Sequence, residues 1–413
     1  MRSDSGRPGQ SERHLWRPVV AAALQAIRVS ESVPPAVPSE GGVSRQQSAA
    51  GRTLWGVPSA GAKAGVLVLG PPLAKCARWG GARSLALCRR TREGYCVTRY
   101  PEIEPYQSGM LDVGDGHQLY WETCGNPAGK PALVLHGGPG SGCTPGHRSY
   151  FDPAAYRVVL FDQRGAGRST PRVSATTNLS ANTTEHLLAD IERLREHLGV
   201  ARWLVWGNSW GVTLGLAYAQ RHPTRVSEMV LAAVTLTRPA DIHWLYHEAG
   251  RFFPAEWQRF RAGVPAAERD GDLVATYYRL LNEQPDVARR EQAARDWCAW
   301  EDAVLSLEEG WAPNPRYADP AFRMTFARLV THYFHHRAWL ADGQLLRDAH
   351  RLAQIPGVLI HGRLDLGGPP DTAWQLAQAW AGAELHLVRT GHGGSKDMLT
   401  RIMDATNGFA PRA

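Results

Sequence analysis

Residues 207–211 read Gly-Asn-Ser-Trp-Gly, so that a serine stands between two glycines. The pattern G-x-S-x-G is typical of a sharp turn between a strand and a helix, which lifts the serine hydroxyl clear of the edge of a sheet. Glycine allows this turn because it has no Cβ to collide with nearby backbone. A serine held in this way can attack a carbonyl carbon, and Ser209 is therefore the candidate nucleophile.

A serine hydroxyl becomes reactive when a base takes its proton and an acid orients that base. Where the nucleophile sits on such a turn, the order along the chain is Ser, then Asp or Glu, then His. Asp365 follows a predicted buried strand, and His392 lies between two glycines after the last predicted strand. We therefore expect Ser209, Asp365 and His392 to form a catalytic triad. The rival acid, Asp371, stands at the head of a predicted helix, where N-capping explains it.

A second glycine-rich segment, His-Gly-Gly-Pro-Gly at 136–140, directly follows another predicted strand. Acyl transfer places negative charge on an oxygen atom, which two hydrogen-bond donors must stabilise. We expect the backbone N–H groups of Gly138 and Trp210 to be these donors. A phosphate-binding loop is the alternative for a glycine run, but no Gly-Lys-Ser or Gly-Lys-Thr follows this one.

The elements that must position these loops alternate between strands and helices from residue 106 onward. Strand patterns, most of them apolar runs, predict strands at 116–122, 131–136, 156–161, 203–206, 226–234, 357–361 and 384–388, and helical spacing predicts helices at 183–198, 212–221 and 372–380. Short, almost wholly apolar strands separated by helices favour a parallel sheet covered on both faces. The predicted fold class is therefore α/β.

Strand signals stop between residues 238 and 350, where Trp, Arg, Glu and Ala recur at helical spacing. We interpret 238–350 as a helical cap over the sheet, with 100–237 and 351–413 as the core. Residues 1–99 are rich in Arg, Gly and Ala and show no sustained periodicity, so we predict a disordered leader. Our hypothesis is that this leader is not part of the working protein and that translation starts at Val97 from a non-AUG codon.

The net charge of +7 is distributed unevenly along the chain. Residues 1–99 hold 15 Lys and Arg against 5 Asp and Glu, whereas the rest of the chain holds 31 against 34. Because the predicted folded part has no basic excess, we expect no nucleic-acid partner. No apolar run approaches about 18 residues, so we also expect no membrane span. The six cysteines include no CxxC pair, which favours free thiols in the cytoplasm and no metal site.

Several separate stretches resemble the prolyl aminopeptidases, also called proline iminopeptidases, of the α/β-hydrolase superfamily. The stretches are YP at 100–101, IEPY at 103–106, HGGPG at 136–140, FDQRGAGRS at 161–169, NSWG at 208–211, GRLD at 362–365 and GH at 391–392. The resemblance implies an α/β-hydrolase fold with a mostly parallel central sheet and a helical cap. It also implies a serine aminopeptidase that releases N-terminal proline from small peptides or amides through an acyl-enzyme, without metal or cofactor.

Three other functions remain as alternatives. An esterase on the same fold, acting on small acyl esters, would use the same triad. An epoxide hydrolase or dehalogenase is disfavoured because such enzymes carry Asp at the position of Ser209. A non-catalytic binding protein is disfavoured because all three triad residues are present.

The resemblance further implies a contact with the free α-ammonium group of the substrate. Residues 297–301 resemble a W-x-x-W-E segment whose Glu holds that group in the family, so Glu301, with Trp300 beside it, is the candidate substrate-binding pair. The alternative is a solvated helix Glu next to Asp302. The family often has a second acidic residue where this chain has Val330, so amine recognition rests on Glu301 alone or the substrate differs.

Overall fold

The computed structural model describes residues 99–308 and 310–411, and the backbone of residues 90–91 and 94–95. Most of the leader predicted to be disordered, and Val97 as the predicted start, lie outside the described residues. Within the leader, strand β1 (Arg90–Thr91) pairs antiparallel with β2 (Gly94–Tyr95). In the described part of the chain, no helix combines the length and the apolar character needed to cross a membrane.

Eight further strands form the central sheet. They are β3 (Gln107–Gly114), β4 (His117–Gly125), β5 (Lys130–Leu135), β6 (Tyr156–Phe161), β7 (Trp203–Ser209), β8 (Val226–Val234), β9 (Gly357–Gly362) and β10 (Ala383–Val388). Their order across the sheet is β10-β9-β8-β7-β5-β6-β4-β3. The pairs β3–β4 and β4–β6 are antiparallel, and the other neighbouring pairs are parallel. The prediction of an α/β fold with a mostly parallel sheet is confirmed.

Four helices cover the two faces of the sheet. They are α1 (Thr184–His197), α2 (Trp210–Arg221), α9 (Pro370–Ala379) and α10 (Lys396–Gly408). Thr183 caps the start of helix α1, and its side chain accepts a hydrogen bond from the His186 backbone N–H. Such a bond satisfies an amide that has no partner within the helix. The buried face of α1 carries the predicted apolar residues Leu187, Ile191 and Leu194. Helix α10 and strand β3 are additional to the predicted elements.

The segment predicted as the cap contains helices α3 (Pro239–Tyr246), α4 (Pro254–Ala262), α5 (Leu273–Asn282), α6 (Val287–Leu305), α7 (Pro320–His335) and α8 (Gln344–Arg347). Aromatic side chains form a hydrophobic core of its own, separate from the clusters on the two faces of the sheet. Phe260 stacks on Tyr277 with ring centroids 4.5 Å apart, and Trp297 approaches Tyr246 equally closely. Burial of such large rings is the main source of stability for the cap.

Arg164, in the stretch that follows β6, joins the sheet to helix α1. Its guanidinium donates two hydrogen bonds of 2.8 Å to the carboxylate of Asp190, and one to the backbone oxygen of Val113. The side chains of Arg164 and Asp190 are 2% and 0% exposed. Arg164 also pairs with the more exposed Asp115 at 3.1 Å, but the Asp190 carboxylate is shielded from water and depends on Arg164 for compensation.

We predict that Arg164→Met destabilises the protein by about 3–5 kcal/mol, because the Asp190 carboxylate then stays buried without a counter-charge. Urea denaturation followed by circular dichroism measures the change. Arg221→Met is the matched control, since the pair that Arg221 forms with Glu185 is exposed. Such a pair contributes less than about 1 kcal/mol. Equal midpoints for the two variants would contradict the assignment.

Candidate active site

Ser209 lies at the junction of β7 and α2 in a strained backbone conformation. Its φ is 54° and its ψ is −124°, which a residue with a Cβ rarely adopts. Glycines on both sides make the turn possible. A Cβ on Gly207 would lie 2.5 Å from the backbone oxygen of Gly211, and a Cβ on Gly211 would collide with the backbone oxygen of Leu135. The G-x-S-x-G spacing is therefore a requirement of packing as well as of chemistry.

The structure brings Ser209, His392 and Asp365 into one hydrogen-bonded chain. The Ser209 hydroxyl lies 3.0 Å from His392 Nε2, and His392 Nδ1 lies 2.8 Å from Asp365 Oδ2. The three residues stand at or just after the carboxyl ends of β7, β9 and β10. Because these strands are parallel, their carboxyl ends meet at one edge of the sheet. The arrangement allows the imidazole to take the serine proton while the carboxylate holds the ring.

His361, the residue before the end of β9, supports the loop that carries Asp365. Its Nδ1 accepts a hydrogen bond from Val234 N–H at 2.9 Å, and its Nε2 lies 2.8 Å from the backbone oxygen of Gly368. These partners require a neutral ring with the proton on Nε2. Burial lowers the pKa of His361 and favours the same state. Gly368 N–H in turn donates to Asp365 Oδ1 at 2.9 Å. A role for His361 was not predicted from the sequence.

Gly138 and Trp210, the predicted donors to an oxyanion, line the same cavity as Ser209 and His392. Trp210 is the first residue of α2, where a backbone N–H has no partner inside the helix. Gly138 has a φ of 115°, and a Cβ there would lie 2.6 Å from Gly140 N. The backbone of the 136–140 loop can therefore turn toward the nucleophile only with glycine at this position.

Gln163, the glutamine of the 161–169 stretch, holds the two donor segments together. Its side-chain amide donates to the backbone oxygen of His136 at 2.9 Å, and its side-chain oxygen accepts from Trp210 Nε1 at 2.9 Å. Its backbone N–H also donates to His136 Nε2 at 3.0 Å. In the sequence analysis this stretch was only part of a family pattern. The structure shows that its glutamine links the 136–140 loop to Trp210.

Glu301 lies in the wall of the cavity that contains Ser209 and His392. One carboxylate oxygen accepts a hydrogen bond of 2.6 Å from the Tyr246 hydroxyl. Burial raises the pKa of Glu301. In the described part of the chain, no Lys or Arg forms an ion pair with this carboxylate. Asp241 also lines the cavity, but Arg238 donates to both of its oxygens. Glu301 is thus the lining carboxylate that has no arginine or lysine partner, although the nearby positive charge of His392 lowers its pKa.

Trp300 and Val330, by contrast, lie in the core of the cap. Each is 1% exposed, and the Trp300 ring stacks on Phe260 with centroids 5.5 Å apart. The Trp300 indole donates to the backbone oxygen of Leu245. Neighbouring residues of a helix point about 100° apart, so Trp300 faces the cap core while Glu301 faces the cavity. We therefore correct the assignment of Trp300 to substrate binding and keep Glu301.

Glu308, just after α6, holds the loop of the candidate base. Its two carboxylate oxygens accept hydrogen bonds from the backbone N–H groups of His392 and Gly393. Burial would lower the pKa of His392, but the charge and hydrogen bond of Asp365, with the charges of Glu308 and Glu301, raise it to about 9. Glu308 escaped the sequence analysis because it lies outside every motif and acts on backbone atoms.

Comparison with known proteins identifies the fold of this chain and proteins that are similar to it in sequence. A family model described as alpha/beta hydrolase fold matches residues 130–397. A probable proline iminopeptidase of Streptomyces coelicolor is 54% identical over 320 residues, which cover 76% of this chain and 98% of that protein. The proline iminopeptidase of Xylella fastidiosa strain Temecula1 is 47% identical over 293 residues, covering 70% and 92%. An acetylester hydrolase structure from Corynebacterium glutamicum shares the fold, with a TM-score of 0.51, 16% identity and coverage of 73% and 95%.

We predict that kcat/KM rises with pH and that the midpoint of the rise lies near pH 9. The base must be neutral, and the pKa of His392 is raised to about 9. Glu308→Gln removes a negative charge that favours the imidazolium, so the midpoint moves down by roughly 0.5 to 1 pH unit. Steady-state rates from pH 6 to pH 10.5 measure the midpoint.

Glu256→Gln is the control for this experiment, since Glu256 is a cap glutamate that pairs with Arg259 on the protein surface. It is expected to leave the midpoint where the unmodified protein has it. A midpoint that stays in place or rises in Glu308→Gln would show that Glu308 does not act on the imidazole.

Proposed function

The chain belongs to the proline iminopeptidase family of the α/β hydrolases, and from this premise we propose that Ser209, His392 and Asp365 release N-terminal proline from peptides through an acyl-enzyme. The observation that carries the proposal is a partly buried carboxylate, Glu301, which has no Lys or Arg ion pair in the described part of the chain and lies in the same cavity as the candidate nucleophile and base. The substrates are small peptides or amides with a free N-terminal proline.

The reaction begins when His392 Nε2 takes the Ser209 proton as Oγ attacks the prolyl carbonyl carbon. The carbonyl oxygen becomes an oxyanion, to which the N–H groups of Gly138 and Trp210 donate. The C–N bond then breaks as the imidazolium gives its proton to the leaving amine, and proline remains as an ester on Ser209. Water repeats the two steps and releases proline. Asp365 accepts the Nδ1–H bond throughout and stabilises the imidazolium.

Glu301 gives the site its selectivity for a free N-terminus. A buried carboxylate without a counter-charge is costly, and a substrate ammonium that pairs with it removes much of that cost. A neutral acyl ester brings no positive charge and leaves the carboxylate uncompensated. This charge argument favours the aminopeptidase over the esterase.

The size of the cavity favours a single residue. Its volume is about 90 Å³, and so small a cavity favours one terminal residue over the middle of a peptide chain. Apolar side chains of the cap, including Ile242, Leu245 and Phe334, form part of its wall. The ring of proline packs against such surface without an unsatisfied polar group.

We also propose a cytoplasmic location. Cys124, Cys143 and Cys298, the cysteines of the described part, are all free thiols. Free thiols persist in reducing compartments.

We predict that the protein hydrolyses a proline-arylamide, and that Ser209→Ala removes this activity, because no other group would supply the nucleophile. Release of the arylamine measures the rate, and short acyl esters serve as the comparison. Ester turnover without any amide turnover would replace the peptidase assignment with the esterase. Unchanged amide turnover in Ser209→Ala would mean that the nucleophile lies elsewhere.

We predict that Glu301→Gln lowers kcat/KM for proline-arylamide roughly 10- to 100-fold, the effect of losing one charge-assisted hydrogen bond. Asp302→Asn is the control on the same helix, since Asp302 accepts a bond from Asn314 N–H instead of lining the cavity. The same Glu301→Gln change is expected to spare neutral acyl ester turnover. Normal kinetics of Glu301→Gln on the arylamide would remove the amine-binding role.

A further inference from the structure

A second cavity, of about 730 Å³, lies between residues 175–180 and the cap helices α5, α6 and α7. Its lining residues differ from those around Ser209. Hydroxyl, amide, imidazole and guanidinium groups line this cavity, and no Asp or Glu occurs among its described lining residues. The two formal charges on its wall are both positive and belong to Arg290 and Arg328.

Both guanidinium groups are held by neutral oxygen atoms. Arg328 is 4% exposed and donates to the backbone oxygens of Ser174 and Thr177 and to the side-chain oxygen of Asn282. Arg290 donates to the backbone oxygens of Gln284 and Ala175. Over residues 99–308 and 310–411, neither guanidinium has a carboxylate within ion-pair distance.

Two like charges without an anion between them are unfavourable in a partly buried place. Burial and the charge of Arg290 lower the pKa of Arg328 to about 10. A guanidinium has five N–H donors, and Arg328 uses three of them in the bonds above. Two donors of Arg328 are unused by these bonds, and arginine often binds a tetrahedral anion through two hydrogen bonds at once.

We propose that this cavity binds a small molecule through a tetrahedral oxyanion group such as a phosphate. Arg290 and Arg328 contact the oxyanion, and the hydroxyl groups of Thr176 and Ser180 lie on the same wall for further bonds. Tyr278 and Trp339 provide aromatic surface for the organic part of the ligand. The cavity is large enough for such a molecule. This site is distinct from the candidate active site and does not depend on the peptidase function.

Inorganic phosphate, compared with sodium chloride at the same ionic strength, is the probe. Phosphate at ten times its Kd is expected to raise the Tm of the protein by about 2–6 °C, because it binds the folded state alone. Arg290→Gln is expected to weaken phosphate binding at least 10-fold in calorimetry. Arg289→Gln, the adjacent exposed position on α6 with the same loss of charge, is expected to retain the affinity. Ser209→Ala is also expected to retain it, which separates this test from that of the peptidase.

Asn178→Asp provides a test that does not remove a loop contact. Asn178 lines the cavity, and its side-chain oxygen accepts from Ser180 N–H, a bond that aspartate also makes. The new carboxylate is expected to raise the Tm without phosphate and to reduce the further rise with phosphate. No phosphate effect beyond that of chloride would overturn the proposal. So would equal phosphate affinity in Arg290→Gln and the unmodified protein, since the anion would then bind elsewhere.

Discussion

The 3.0 Å contact between Ser209 Oγ and His392 Nε2 joins residues 183 positions apart in the chain, and the rest of the site depends on it. Three parallel strands bring the loops to one edge of the sheet, but the strands alone do not fix where each side chain lies within its loop. The final positioning comes from backbone contacts around the loops. His361 fixes the loop of Asp365, Glu308 fixes the loop of His392, and the close approach of Gly211 to Leu135 fixes the turn of Ser209.

The sequence predicted those parts of the fold whose segments differ in residue type from the segments on either side of them. Apolar runs located β5 to β9, because strands buried on both faces are almost wholly apolar, and shorter strand patterns located β4 and β10. Strand β3 was missed because most of its residues are exposed or half-exposed and it contains no continuous apolar run. The order Ser, Asp, His and the glycines around the loops pointed to three residues that the structure joins by hydrogen bonds, Ser209, His392 and Asp365, because the chemistry restricts those residue types.

Residues that act through the backbone were beyond the reach of sequence patterns. Gln163, His361 and Glu308 bind backbone atoms of loops that are distant in the chain, so their partners leave no signature in residue type. Trp300, in contrast, was assigned a role in substrate binding only because it precedes Glu301 in the sequence. Its neighbour Glu301 faces the cavity, but the rotation between adjacent helical residues turns the indole into the cap core. Proximity in sequence is a poor guide to shared function on a helix.

The separate hydrophobic core of the cap has a consequence for how the molecule can diverge. The aromatic cluster around Phe260 and Trp297 is largely separate from the clusters of the sheet, with Phe334 packed against both, so many of its residues can change with little effect on the loops of the site. New specificities can therefore arise by remodelling the cap. Glu308 limits this freedom. Its carboxylate accepts hydrogen bonds from the backbone of His392 and Gly393, so a cap that changes in sequence must keep this contact to hold His392 in place.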